Sequence, residues 1–132
     1  LGDGLVWVFD SNSFFPLEPD EGFGHENDVG GEPTEMRNFR FTTEFHMEFT
    51  YKEGQVFTFR GDDDVWVFID GQLVIDIAGI HDAEESSVDI DTLGLTPGEK
   101  YPMDIFHAER NPVDSNFRIE TNIECITNIV IE

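Results

Sequence analysis

Val65-Trp66-Val67-Phe68-Ile69, followed at once by Asp70-Gly71 and then Leu73-Val74-Ile75, constrains the fold more than any other stretch of this chain. Five consecutive β-branched and aromatic residues suit a central strand buried on both faces. An Asp-Gly pair accommodates the positive φ angles of a tight hairpin turn, so the apolar residues after it form the returning strand. A sheet built on that hairpin needs a second layer to cover it.

The same period of two recurs. Phe45, Met47, Phe49 and Tyr51 alternate with Glu44, His46, Glu48 and Thr50, as in a strand with one buried face. Lys52-Glu53-Gly54 ends that run. Phe57 and Phe59 then share a face, which predicts a hairpin through Gly54 with the two strands paired. Val88 to Asp91, Met103 to His107 and Phe117 to Glu120 continue the alternation, and Ile123 to Ile131 reads as a closing strand or the start of a linker. The segments 16–34 and 110–116 lack apolar periodicity and read as surface loops, the first long enough to be functional. With no amphipathic helix of convincing length, the expected fold is all-β, a two-layer antiparallel β-sandwich with long surface loops. The 132 residues, including thirteen Phe, can enclose one core without disulfides, so a single domain over 1–132 is expected.

Charge narrows the partners. Against 29 acidic residues stand 7 Lys and Arg, a formal charge of −22. Such a field repels nucleic acids and anionic membrane surfaces and attracts cations. Part of it serves solubility in a salty medium. Cys125 is the only cysteine, which excludes an intrachain disulfide and a multi-thiolate zinc site and suits a small buried apolar residue. These 132 residues hold no charged-then-apolar signal-peptide pattern and no run of eighteen apolar residues, so direct membrane insertion of this segment is not expected. The chain opens on Leu1 inside a structured-looking pattern, as a piece of a larger protein with neighbouring domains would.

Gly61-Asp62-Asp63-Asp64 joins two of these strands. Three adjacent carboxylates repel one another unless a cation, basic groups or solvent compensates. Ca²⁺ takes about six to eight oxygens, more than one pair of Asp supplies, so a second loop is required. The loop Arg110-Asn111-Pro112-Val113-Asp114-Ser115-Asn116 offers amide, carboxylate and carbonyl oxygens. The alternative is a solvated acidic turn, with Asn116 capping its own backbone.

The run from Gly61 through Val65-Trp66-Val67-Phe68-Ile69-Asp70-Gly71 to Asp76 resembles the signature of the fibro-slime domain. The resemblance continues through Ala78 to His81, Val88 to Gly98, Ile105 to Arg110 and Ser115 to Ile119, and covers roughly residues 5–121. Fibro-slime domains are related to the carbohydrate-binding β-sandwich of anthrax protective antigen, bacterial surface adhesins and yeast flocculins and epithelial adhesins. The resemblance implies an extracellular, cell-surface lectin whose Ca²⁺ is held by two consecutive Asp joined by a cis peptide and by a second loop. Open metal positions would then take vicinal hydroxyls of a cell-surface glycan or polysaccharide. Asp62 and Asp63 match the pair best, with Asp63-Asp64 the other choice, and Asn111 and Asp114 are the expected second-loop ligands. His81, Arg110 and Asn111 would contact sugar beside Asp62 and Asp63. The rival reading is a structural spacer or protein-interaction domain in which Ca²⁺ only rigidifies loops.

Other candidates are weaker. His46 and His107 read as sheet residues, and with His25 they form no zinc set. Asp89 and Asp91 lie on one face of one strand, whereas glycosidase carboxylates face each other across a sugar, so they read as surface acids. Trp7 and Trp66 sit in apolar runs and read as core. No nucleophile elbow, phosphate loop or Cys-His pair occurs, so a non-enzymatic module is expected.

Overall fold

The computed structural model describes residues 5–17, 21, 37–79, 81–110, 115–124 and 126–131, the last group by backbone alone. His25, Cys125 and most of the loop 16–34 lie outside the described residues.

Nine strands are described: β1 (Trp7–Ser11), β2 (Phe41–Thr50), β3 (Val56–Gly61), β4 (Asp64–Ile69), β5 (Gln72–Ile77), β6 (Glu84–Asp89), β7 (Lys100–Glu109), β8 (Phe117–Thr121) and β9 (Ile126–Ile131). They form two antiparallel sheets, in the orders β1-β8-β3-β6 and β5-β4-β7-β2-β9. The two layers are the expected all-β sandwich. Its core takes alternate residues from both sheets: Phe57 and Phe59 of β3 and Phe117 of β8 on one side, and Val65, Val67, Ile69, Met103 and Ile105 of β4 and β7 on the other.

The β4–β5 hairpin forms as expected, through a two-residue turn in which Asp70 has φ 50° and Gly71 φ 73°. β9 closes the second sheet against β2. Four expectations are corrected. β4 is central, yet only Val65, Val67 and Ile69 are fully buried, while Trp66 and Phe68 are half-buried on the outer face. An antiparallel sheet needs burial on one face only. β2 and β3 do not pair. The chain passes from one sheet to the other between them, so that Phe49 and Tyr51 enter the core from one layer and Phe57 and Phe59 from the opposite one. Alternation shows which face is buried but not which sheet owns it. Asp91 does not share a strand with Asp89 but lies in a 3-10 turn over Ile90–Leu93, which Asp89 caps by accepting from the Asp91 amide. Asp91 also accepts from the Tyr51 hydroxyl at 2.8 Å and from Gly54 N–H, strapping down the β2–β3 crossing. Finally, Trp7 is 56% exposed, because β1 is an edge strand. It lines the rim of an apolar cleft of about 550 Å³ with Phe14, Phe45 and Phe117.

The sandwich places two crossings side by side. Residues 61–64 carry the chain from β3 in one sheet to β4 in the other, and residues 110–116 carry it back from β7 to β8. β3 pairs with β8 through Gly61↔Phe117, and β4 with β7 through Asp64↔Ala108. Both connections therefore emerge at the same end of the sandwich.

Candidate functional site

At that end the three adjacent Asp are almost wholly buried: Asp62 is 5%, Asp63 0% and Asp64 5% exposed. Buried carboxylates require partners. The Asp62–Asp63 peptide is cis, so the cis bond falls within the first of the two candidate pairs.

Each carboxylate has its own surroundings. Asp62 accepts two hydrogen bonds from Asn116, from the backbone N–H to Oδ1 and from the side-chain Nδ2 to Oδ2, both 2.7 Å. Asn116 thus caps the acidic turn of another loop and not its own backbone. Asp63 accepts from the Arg110 N–H at Oδ2, 3.0 Å, while its Oδ1 is buried with no hydrogen-bond donor among the described residues. Asp64 turns toward the protein. Its Oδ1 accepts from Gly79 N–H and the Arg110 guanidinium at 2.7 and 2.9 Å, and its Oδ2 lies 2.5 Å from Arg110 Nε. Two charge-assisted contacts to one guanidinium commit Asp64 to Arg110.

Behind the turn, His107 is 1% exposed. Its Nε2 donates to the carbonyl of Asp62 at 2.8 Å. Burial lowers the His107 pKa below the ordinary histidine value, against the opposing pull of the Asp62 carbonyl and the three neighbouring carboxylates. Phe14, Phe41 and Phe117 surround the ring at centroid distances of 5.9, 5.7 and 5.3 Å.

Of the residues expected from sequence, the structure brings together Asp62, Asp63 and Arg110. His81 lies in the loop between β5 and β6, its Nδ1 bonded to the Asp82 carbonyl at 2.8 Å, and Gly79 ties that same loop to Asp64. Asn111 and Asp114 lie outside the described residues. Among the described residues no three His, Cys, Asp or Glu converge as a metal-ligating set. A hard cation here would therefore draw on the Asp62 and Asp63 carboxylates together with carbonyl or amide oxygens, a donor mixture that suits Ca²⁺. The unpartnered Asp63 Oδ1 fits such a role, since a buried charged acceptor without a donor is costly.

The family profile for the PA14 domain matches residues 3–128. The chain belongs to the PA14 domain family. Among curated proteins, psiR of Dictyostelium discoideum is 43% identical across 93% of this chain and psiD of the same organism 46% across 93%. This PA14 domain spans only 13% and 24% of those two proteins. No solved structure matches it. Membership supports a general binding role, and the acidic end of the sandwich is where this PA14 domain concentrates buried polar groups.

Three residues of the site have parts that the sequence reading did not assign to them. Gly61 permits the close approach of β3 to the second loop: a Cβ there would collide with the Asn116 carbonyl and lie 2.9 Å from the Phe59 ring. Asn116 and His107 reach Asp62 from 54 and 45 residues away. A glycine opening an acidic turn was a visible signal for the first. Asn116 stood in the candidate second loop and His107 in an alternating strand, but neither showed its bond to Asp62, because only the sheet order brings β7 and β8 to that turn.

Proposed function

We propose that this PA14 domain is a Ca²⁺-dependent carbohydrate-binding module of an extracellular adhesin, with Asp62 and Asp63 as the metal-holding pair. The observation that carries the reading is Asp63 Oδ1, a fully buried carboxylate oxygen at the crossing with no donor among the described residues. A bound Ca²⁺ supplies positive charge to that oxygen and, where its shell stays open, a place for neutral diols that carboxylates alone hold weakly. Asn111 and Asp114 remain the proposed second-loop ligands, and Asn111, Arg110 and His81 the groups nearest a sugar. Since Arg110 is engaged by Asp64, its part is to orient the loop. The proposed partners are cell-surface glycans or polysaccharide, and the module catalyses no reaction.

A glycan array probed in millimolar Ca²⁺ and again in chelator tests the proposal. Binding that disappears with chelator, and with Asp63→Asn, supports it; a blank array in Ca²⁺ defeats it. One observation favours the rival structural role: each of the three Asp already accepts a hydrogen bond within the protein, as a loop clasp would. Under that reading Ca²⁺ raises the melting temperature with no sugar bound.

A further inference from the structure

The strand that delivers the second loop also grips the first. β7 lies between β4 and β2 in the five-stranded sheet, paired along its length with β2 and at the site with β4 through Val65↔His107. It has little freedom to shift. From it, His107 reaches the Asp62 carbonyl, and three residues later Arg110 reaches Asp63 through its backbone N–H and Asp64 through its side chain. β7 and the residue that follows it thus hold all three members of the acidic turn.

We propose that His107 is a positioning residue for cation binding, whose Nε2–H fixes the Asp62 carbonyl and with it the placement of the Asp62 and Asp63 carboxylates. The inference rests on the Ca²⁺ reading above. A carbonyl oxygen can only accept, so Nε2 carries the proton, and Nδ1, buried and without a partner among the described residues, carries none. The tautomer follows from the contact. The ring cannot swing away without displacing the three Phe rings packed around it. A buried imidazole with one unsatisfied nitrogen is a poor choice for packing alone, since an apolar residue of similar size would fill the space without that penalty. Its contribution is the fixed donor. Groups that hold a metal's ligands in place typically change affinity by about 10- to 100-fold when removed.

The test compares His107→Leu with His107→Gln in the whole domain, by calorimetric titration with Ca²⁺ alone and by thermal melts in chelator. Leu fills the cavity but has no donor, whereas the Gln side-chain amide offers an N–H at similar reach. His107→Leu is expected to remain folded and to bind Ca²⁺ about tenfold or more weakly, while His107→Gln stays within about threefold of wild type. A packing role predicts the reverse ordering in the melts and unchanged affinity in both variants. Wild-type affinity in His107→Leu, or equal losses in both, overturns the proposal. Should His107→Leu fail to fold, the ring ¹⁵N shifts of the wild-type protein decide: an Nε2–H tautomer whose Nε2 signal moves on adding Ca²⁺ supports it, and an Nδ1–H tautomer or an unmoved signal overturns it. A wild-type domain that binds no Ca²⁺ removes the Ca²⁺ reading as well, whereas a wild type that binds and a His107→Leu that binds equally removes only this inference.

Discussion

One methyl group at Gly61 would separate the two halves of the site. A Cβ there meets the Asn116 backbone and the Phe59 ring, neither of which is the free end of a flexible side chain. Gly61→Ala is therefore expected to destabilise the domain by about 1 to 3 kcal/mol, the usual cost of overpacking, measured by urea unfolding. Because the displaced partner is the loop that caps Asp62, its Ca²⁺ affinity should fall as well. At the same scale, His46 on the outer face of β2 bonds Asp104 through Nδ1 at 2.7 Å and Glu44 through Nε2 at 3.2 Å, and those carboxylates raise its pKa above 6.5. A raised folded-state value means stability that is complete below the unfolded value and lost as pH rises through the folded one. An NMR titration should place the His46 midpoint above 6.5, and Asp104→Asn should bring it down. That Asp62 and Asp63 would need partners was legible, because adjacent acids at a strand junction ask for compensation, and both are buried and hydrogen-bonded. His107 was not legible, since a histidine in an alternating strand carries no mark of the carbonyl it meets across the sheet.

Elements were legible where the signal is local. The Asp70-Gly71 turn needs two positive φ angles, and the sequence places there the residues that tolerate them. Gly71→Ala, with open space around its Cβ, should cost about 1 to 2 kcal/mol from the left-handed backbone alone and leave Ca²⁺ binding untouched, as unfolding and titration would show together. The β2–β3 connection differs from the expected hairpin because a hairpin and a crossing between layers present the same alternation. What decides it is the Tyr51–Asp91 bond and the burial of Tyr51 beneath the crossing. The hydrogen bond to Asp91 and then burial push the Tyr51 pKa up to about 12. That contribution is intact below pH 10 and lost as pH rises from 10 toward 12, so Tyr51→Phe should flatten the alkaline limb of the stability profile.

At the scale of the molecule, the two-layer architecture followed from alternation and length, whereas the pairing order did not, because long-range register depends on which edges meet. Net charge was legible in full, and it complicates the decisive measurement. A domain at −22 is stabilised by any cation that screens its self-repulsion, so a rise in melting temperature on adding Ca²⁺ is not by itself a site. Screening depends on ionic strength and is largely saturated at 0.15 M salt, where the Debye length is about 8 Å. Melts should therefore compare Ca²⁺ with Mg²⁺ at equal ionic strength in that background. A specific site gives Ca²⁺ an advantage, since Mg²⁺ is smaller, demands octahedral geometry and sheds water reluctantly. At free Ca²⁺ a hundredfold above Kd, mass action adds about 2.7 kcal/mol, which is several degrees for a domain of this size. Asp63→Asn, nearly isosteric at a fully buried position, should abolish the Ca²⁺-specific part. Asp89→Ala should lower the baseline by about 1 kcal/mol through loss of its cap on the 3-10 turn, yet keep the whole shift. If Asp63→Asn retains the Ca²⁺ advantage over Mg²⁺, the ion binds elsewhere among the acids, and Asp62 and Asp63 are a clasp between two loops.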